Sequence, residues 1–273
     1  MYKLLAMDKQ INIQEALDWY IWAGVTETCS DEVCAFNKEN QPVIPKTSVS
    51  VGRPSAPVAQ VQASGALALS SSTALKNAKD VCLKATSLEE LRKLLENFDG
   101  CNLKNTAAST VFGDGSNKAK IMLIGEAPGA DEDRIGKPFV GRCGKLLDKM
   151  FTAIELNRAD CYITNVLPWR PPGNRTPTDD EIAVCLPFLK RQIELIEPDF
   201  LLLLGGIALK SVMDCADSIS RTRGKWLEYS ISSQKTAYVL ATYHPSYLLR
   251  STAQKSKVWA DLLRLKKKIE ETS

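Results

Sequence analysis

The sequence predicts an α/β fold: a three-layer α/β/α arrangement with helices on both sides of a central four-stranded parallel sheet. Two observations predict it. From about residue 117 onward, four short apolar runs (119–124, 161–166, 200–204 and 238–242) alternate with longer amphipathic stretches. The runs are short, largely apolar and β-branched in part, which suits strands buried on both faces, and strands alternating with helices imply a parallel sheet.

In chain order, residues 11–24, INIQEALDWYIWAG, read as a helix. Ala16, Trp19, Tyr20 and Ala23 recur at helical spacing, and Gly24 suits its stop. Trp19 and Trp22 fit either a partner-binding stripe or docking of this helix on its own domain. Residues 36–72 are rich in Pro, Ser, Val, Ala and Gln with little periodicity, and read as a flexible linker. A second helical stretch over about 73–97 carries Leu88, Leu91, Leu94 and Leu95 on one face. Between the strands, 142–154, 178–196 and 207–214 read as helices. Asp179 and Asp180 near the start of 178–196 suit its dipole. The last segment, 255–271, is a charged amphipathic helix expected on the surface. The resulting organisation is a helical extension over 1–35, a linker over 36–72 and a globular domain over 73–273.

Bulk composition restricts function only loosely. Hydrophobic residues make up 44% and charged residues 25% of the 273, the balance of a globular protein with a sizeable core. A net charge of +3, from 35 basic and 32 acidic residues, does not by itself mark a nucleic-acid binder, although a local basic patch can still neutralise phosphates. The start, MYKLLAMDKQ, has no signal-peptide pattern, and the longest apolar run is far too short to span a bilayer. The expectation is a cytoplasmic protein of bacterial type. Its eight cysteines then read as free thiols or metal ligands, and without a Cys-x-x-Cys pair they indicate no compact zinc site.

In a parallel sheet of this type, ligands bind beyond the carboxyl ends of the strands. The first run is followed by Gly125-Glu-Ala-Pro-Gly129 and then Gly136-Lys-Pro-Phe-Val-Gly141. The second leads into Thr164-Asn-Val and Arg170-Pro-Pro-Gly-Asn-Arg175. The third is followed by Gly205-Gly206, and the fourth by Tyr243-His-Pro-Ser-Tyr-Leu-Leu-Arg250. The first turn is neither GxGxxG nor a Walker loop, so a nucleotide cofactor is a weak reading. Taken singly, Glu126 reads as well as a helix-cap carboxylate, Asn165 as a turn cap, Phe139 as core and His244 as a loop histidine. Their joint placement at three strand ends points to one crevice holding a carboxylate, an amide and an imidazole.

Three segments, GEAPGADEDRIGKPFVGRCGKLLDKM, YITNVLPWRPPGNRTP and TYHPSYLLR, in that order, resemble the family-4 uracil-DNA glycosylases of base excision repair. The resemblance runs from about Cys101 to the C-terminus and implies a four-stranded parallel sheet between helices. It implies hydrolysis of the bond between uracil and deoxyribose in single- or double-stranded DNA, by a monomer with no membrane association. Phe139 then stacks on uracil and Asn165 binds its amide edge, with Ala127 and Asn174 also at the base. Glu126 and Glu132 face the glycosidic bond, and either one activates water or stabilises the sugar cation. His244 donates to uracil O2 as the base leaves as an anion. A base attacked this way must leave the helix, so Leu248 and Leu249 fit an apolar wedge filling the vacated stack, although one of them is as readily a packing residue. Arg250, Arg175, Arg170, Lys137 and Arg142 are placed for phosphates.

Most members of that family hold a [4Fe–4S] cluster on four cysteines. Here the matching positions are Phe98, Cys101, Trp169 and Cys185, and two thiolates do not hold a cubane. The expectation is that the cluster is absent, with Phe98 and Trp169 filling its space, unless Cys29, Cys34, Cys82 or another cysteine substitutes. Two other functions stay open: a protein that binds uracil-DNA without turnover or covalently, and a glycosylase for another deaminated base such as hypoxanthine. Covalent relatives carry a histidine-containing insert after the GEAPG loop, whereas here residues 133–138 run straight on.

Overall fold

The computed structural model describes residues 71–272. The helix expected over 11–24 and the linker up to residue 70 lie outside the described residues. The elements are α1 (Ser71–Cys82), α2 (Leu88–Glu96), β1 (Asp114–Gly115), β2 (Ile121–Gly125), α3 (Ala130–Ile135), α4 (Arg142–Thr152) and β3 (Cys161–Asn165). They continue with α5 (Asp179–Ile196), β4 (Phe200–Leu204), α6 (Gly206–Met213), α7 (Ile219–Thr222), β5 (Trp226–Ser230), β6 (Thr236–Thr242), α8 (Pro245–Arg250) and α9 (Lys255–Thr272).

The four apolar runs are the four parallel strands at the centre of the sheet, in the order β3-β2-β4-β6. Every residue of β2, β3 and β4 is buried, as continuous hydrophobicity requires when both faces are covered. On one face Met122, Ile124, Leu201, Leu203 and Val239 pack with Leu189 and Ile193 of α5 and Leu209 of α6. On the other, α9 lies along β6 with Val258, Leu262 and Leu265 buried.

Among the described residues the sheet has six strands, not four. Antiparallel edges are added by β1 beside β3 and by β5 beside β6. The sequence hides both. β1 is two residues long, and β5 mixes half-buried Trp226, Leu227 and Tyr229 with exposed Glu228 and Ser230. A Cβ at Gly115 would sit 1.9 Å from the Cys161 carbonyl oxygen, so only glycine lets this edge close on β3.

The single helix expected over about 73–97 is two. Ser87 caps α2 by accepting the Glu90 N–H at 3.2 Å, while the Glu90 carboxylate accepts from Thr86 N–H and Oγ1, both at 2.8 Å. That reciprocal capping stabilises a helix start at a point where the leucine spacing runs on unbroken. The helix before it begins at Ser71, two residues inside the segment expected as linker.

Candidate active site

The carboxyl ends of β2, β3, β4 and β6 open into one crevice of about 730 Å³, lined by Glu126, Phe139, Asn165, Gly205, His244 and Arg250 among others. The three strand-end residues therefore share one cavity. β2 and β3 pair in register at Gly125 and Asn165, which places the amide beside the first turn. A Cβ at Gly125 would lie 2.4 Å from Asn165 Oδ1 and 2.6 Å from the Phe139 ring, so glycine there makes room for amide and ring to approach each other. The Phe139 and His244 rings stand 5.6 Å apart, tilted by 36°. Gly205, at φ 98, fits close against His244, where a Cβ would come within 3.2 Å of its own.

Asn165 is 5% exposed, and its Oδ1 has no hydrogen-bond partner. Buried amides are almost always satisfied, and leaving one open costs about 1–3 kcal/mol. An orphan acceptor at the wall of a cavity is therefore the mark of a place kept for a ligand. The carboxylate of Glu126, half-buried on the same wall, accepts no hydrogen bond from the described residues. Burial raises its carboxyl above the ordinary carboxylate range. Glu132 differs. Its carboxylate accepts the backbone N–H of Gly129 at 3.1 Å and those of Val140 and Gly141, both at 2.9 Å. It ties the GEAPG turn to the loop that carries Phe139.

His244 caps α8. Its Nδ1 accepts the Ser246 N–H at 3.1 Å and lies 2.8 Å from Ser246 Oγ. An Nδ1 that accepts carries no proton, so the neutral ring holds its proton on Nε2. Burial, and then the charge of Arg250, lower the ring's pKa from 6.5 to about 4, which keeps it neutral at pH 7.

Along α8 the two leucines part. Leu248 is 1% exposed and packs inward, while Leu249 is 39% exposed, as is its neighbour Tyr247 at 36%. The Tyr247 ring meets Tyr243 edge-on at 5.1 Å. The basic rim is narrower than the sequence suggests. Of the five cations expected there, Arg250 and Arg175 line the crevice, and Arg175 is also held by Glu181 through bonds of 2.6 and 2.9 Å. Lys137 turns to Asp114 at 3.1 Å, and Arg170 holds the Asn174 amide oxygen at 2.7 Å. Ala127 and Asn174 both stand in the crevice wall.

The family model of the uracil DNA glycosylase superfamily matches residues 112–263. The chain belongs to that superfamily, in its type-4 branch. Type-4 uracil-DNA glycosylases are similar to it at 37% identity in Pyrobaculum aerophilum (64% of this chain, 91% of that one) and at 42% in Archaeoglobus fulgidus (60% and 83%). A third, from Thermotoga maritima, is 40% identical over 60% of this chain and 84% of its own.

The residues at the family's cluster positions do not fit an iron–sulfur cluster. Phe98, Cys101, Trp169 and Cys185 are all buried in one apolar cluster, with Phe98 packed on Phe188 at 5.1 Å between ring centres. The Trp169 indole donates to Thr110 Oγ1 at 3.0 Å. Cys82 joins the same cluster, and burial pushes its thiol up to about 12. Hydrogen bonding to Cys101, with burial, pushes the Cys185 thiol well up too. Two of the four positions carry no thiol and the other two sit in apolar packing, whereas a cubane cluster takes four cysteine ligands. Among the described residues, no group of three or more His, Cys, Asp or Glu is placed to hold a metal ion.

Sequence reasoning missed a buried carboxylate behind the site. Asp261 of α9 is fully buried, accepts Thr242 Oγ1 at 2.7 Å, and is held by Arg223 through bonds of 3.0 and 2.6 Å. The Arg223 guanidinium lies 5.5 Å from the centre of the Tyr243 ring. Removing one partner of such a pair strands the other charge. Asp261→Ala is therefore expected to destabilise the fold by about 3–5 kcal/mol, read as a large fall in Tm. An unchanged Tm would mean that α9 is held by its apolar stripe alone.

Proposed function

We propose that this crevice is the active site of a monofunctional uracil-DNA glycosylase, which hydrolyses the N-glycosidic bond of deoxyuridine in DNA and leaves an abasic site. The observation that carries this reading is the unpartnered Asn165 amide beside the Phe139 ring, opposite a histidine whose free nitrogen is its donor. A flipped uracil stacks on Phe139. Its N3–H and O4 pair with the amide oxygen and NH2 of Asn165. Cytosine presents an unprotonated N3 and an amino group to the same amide, which sets acceptor against acceptor and donor against donor.

As the glycosidic bond stretches, the sugar takes on cationic character and uracil leaves as an anion. The Nε2–H of neutral His244 donates to O2, where that negative charge gathers. Glu126 is the carboxylate for the sugar side, where it orients water or offsets the cation. Glu132, whose oxygens are committed to three backbone N–H groups, is a positioning residue. Leu249 is the wedge that fills the vacated stack, Leu248 anchors α8, and Arg250 holds a phosphate beside the flipped nucleotide. The chemistry lies within residues 73–273 and needs no iron. The enzyme acts as a monomer inside the cell, and no helix among the described residues is long and apolar enough to cross a membrane.

Purified protein and oligonucleotides carrying one uracil, cytosine or hypoxanthine test this. Alkali-labile cleavage at uracil alone is the expected result, with protein that is colourless and free of iron on elemental analysis. Strand retention without cleavage, or a denaturation-resistant adduct, would make it a binding protein instead.

The pH profile follows from the two shifted groups. Glu126 must be ionised, and burial moves its titration upward, to the alkaline side of the His244 transition near 4. The acid limb of kcat is therefore expected to belong to Glu126. Glu126→Gln should lower the plateau and remove that limb, which a pH series under single-turnover conditions reads directly. A limb that persists in this variant would move the role to another group.

A further inference from the structure

Phe139 has a left-handed backbone, with φ at 51°. Outside glycine this region is sparsely used and persists only where the surroundings over-determine it. Two side chains of opposite charge do so here. On the N–H side, Glu132 accepts from Val140 and Gly141. On the carbonyl side, Arg158 donates from Nη1 to the Phe139 oxygen at 2.8 Å and from Nη2 to the Pro138 oxygen at 2.6 Å. Arg158 is itself oriented by Asp148 at 3.1 Å and Asp114 at 3.7 Å. The helix behind leaves no slack, since a Cβ at Gly144 would lie 1.7 Å from the Phe139 carbonyl oxygen. The result is a ring turned into the crevice, 5% exposed and beside His244.

We infer that Arg158, which does not line the crevice, is a positioning residue for uracil recognition: its fork on two consecutive carbonyls holds Phe139 in the conformation that presents its ring to the base. This rests on the reading of Phe139 as the stacking residue. A guanidinium is suited to the task because it offers a planar fork of donors, whereas a lysine ammonium is a point charge. Without the fork, the carbonyl side of this clamp is lost, and the strained φ can relax far enough to carry the ring off the base. A displacement of about 1 Å at a positioning group can cost on the order of 100-fold.

The test is a double-mutant cycle between Arg158 and Phe139, read by uracil release at subsaturating DNA and by Tm. Arg158→Gln is expected to lower kcat/KM by roughly 10- to 100-fold. Arg158→Lys should restore part of that loss. In a Phe139→Ala background, Arg158→Gln should add no further loss, because the ring it positions is gone, while its effect on Tm remains. Should Arg158→Gln fail to fold, the same cycle run with Arg158→Lys decides. Equal losses in both backgrounds, or no loss with Phe139 present, would overturn the inference and leave the stacking role standing. If Phe139→Ala by itself costs nothing, the stacking reading fails and the inference with it.

Discussion

His244→Ala is expected to slow uracil release by about 10²–10³-fold in kcat, the cost typical of removing one preorganised donor from a developing anion. The loss should fall on kcat and kcat/KM alike, since the bond to O2 strengthens as charge develops there. The variant should still bind uracil-containing DNA, because Asn165 and Phe139 remain. His244→Asn, which keeps a neutral donor without the ring, should lie between the two. The ring's ionisation gives a second check. With its pKa lowered to about 4, no break is expected in the rate profile near 6.5. The unfolded chain takes up this proton first as pH falls. The stability contributed by the neutral buried ring is therefore present above about 6.5 and lost progressively as pH falls toward 4. A break in kcat near 6.5 that vanishes in His244→Ala would mean that the imidazolium, not the imidazole, is the working form.

Asn165→Leu is the second large effect. The side chains are close in size, so the substitution removes two hydrogen bonds to the base without emptying the site. At about 1–3 kcal/mol for each base group left unsatisfied, kcat/KM for uracil should fall by roughly 30- to 10⁴-fold. Stability should move the other way or not at all, because the unpartnered buried Oδ1 is removed. Lower activity with equal or higher Tm separates a residue kept for a ligand from one kept for the fold. A fall in Tm comparable to that of a core truncation would show that the amide is structural.

The centre of the fold and most of the crevice were legible in the sequence for one reason. Strands buried on both faces write themselves as unbroken apolar runs, and residues just beyond their carboxyl ends are carried to a common edge. Position alone thus places Glu126, Asn165 and His244 together, independently of any family motif. The edge strands could not, because a two-residue pairing and a half-exposed strand leave little pattern. The break between α1 and α2 does carry a local signal, since Ser87 and Glu90 stand at capping-box spacing under the leucine stripe. Arg158, Arg223 and Asp261 had none. Each acts through bonds to residues about 20 to 40 positions away, and nothing local distinguishes them from surface charges. Burial likewise divided Leu248 from Leu249, adjacent residues of which the sequence offers one as wedge and one as packing without saying which.

The most direct test of the central claim is a crystal structure of the full chain with a duplex containing a non-hydrolysable 2′-fluoro deoxyuridine. The account predicts an extrahelical base stacked on Phe139, with its N3–O4 edge on the Asn165 amide and O2 about 2.7–3.2 Å from His244 Nε2. A uracil still within the helix, or one held in the crevice with its amide edge turned away from Asn165, would contradict it.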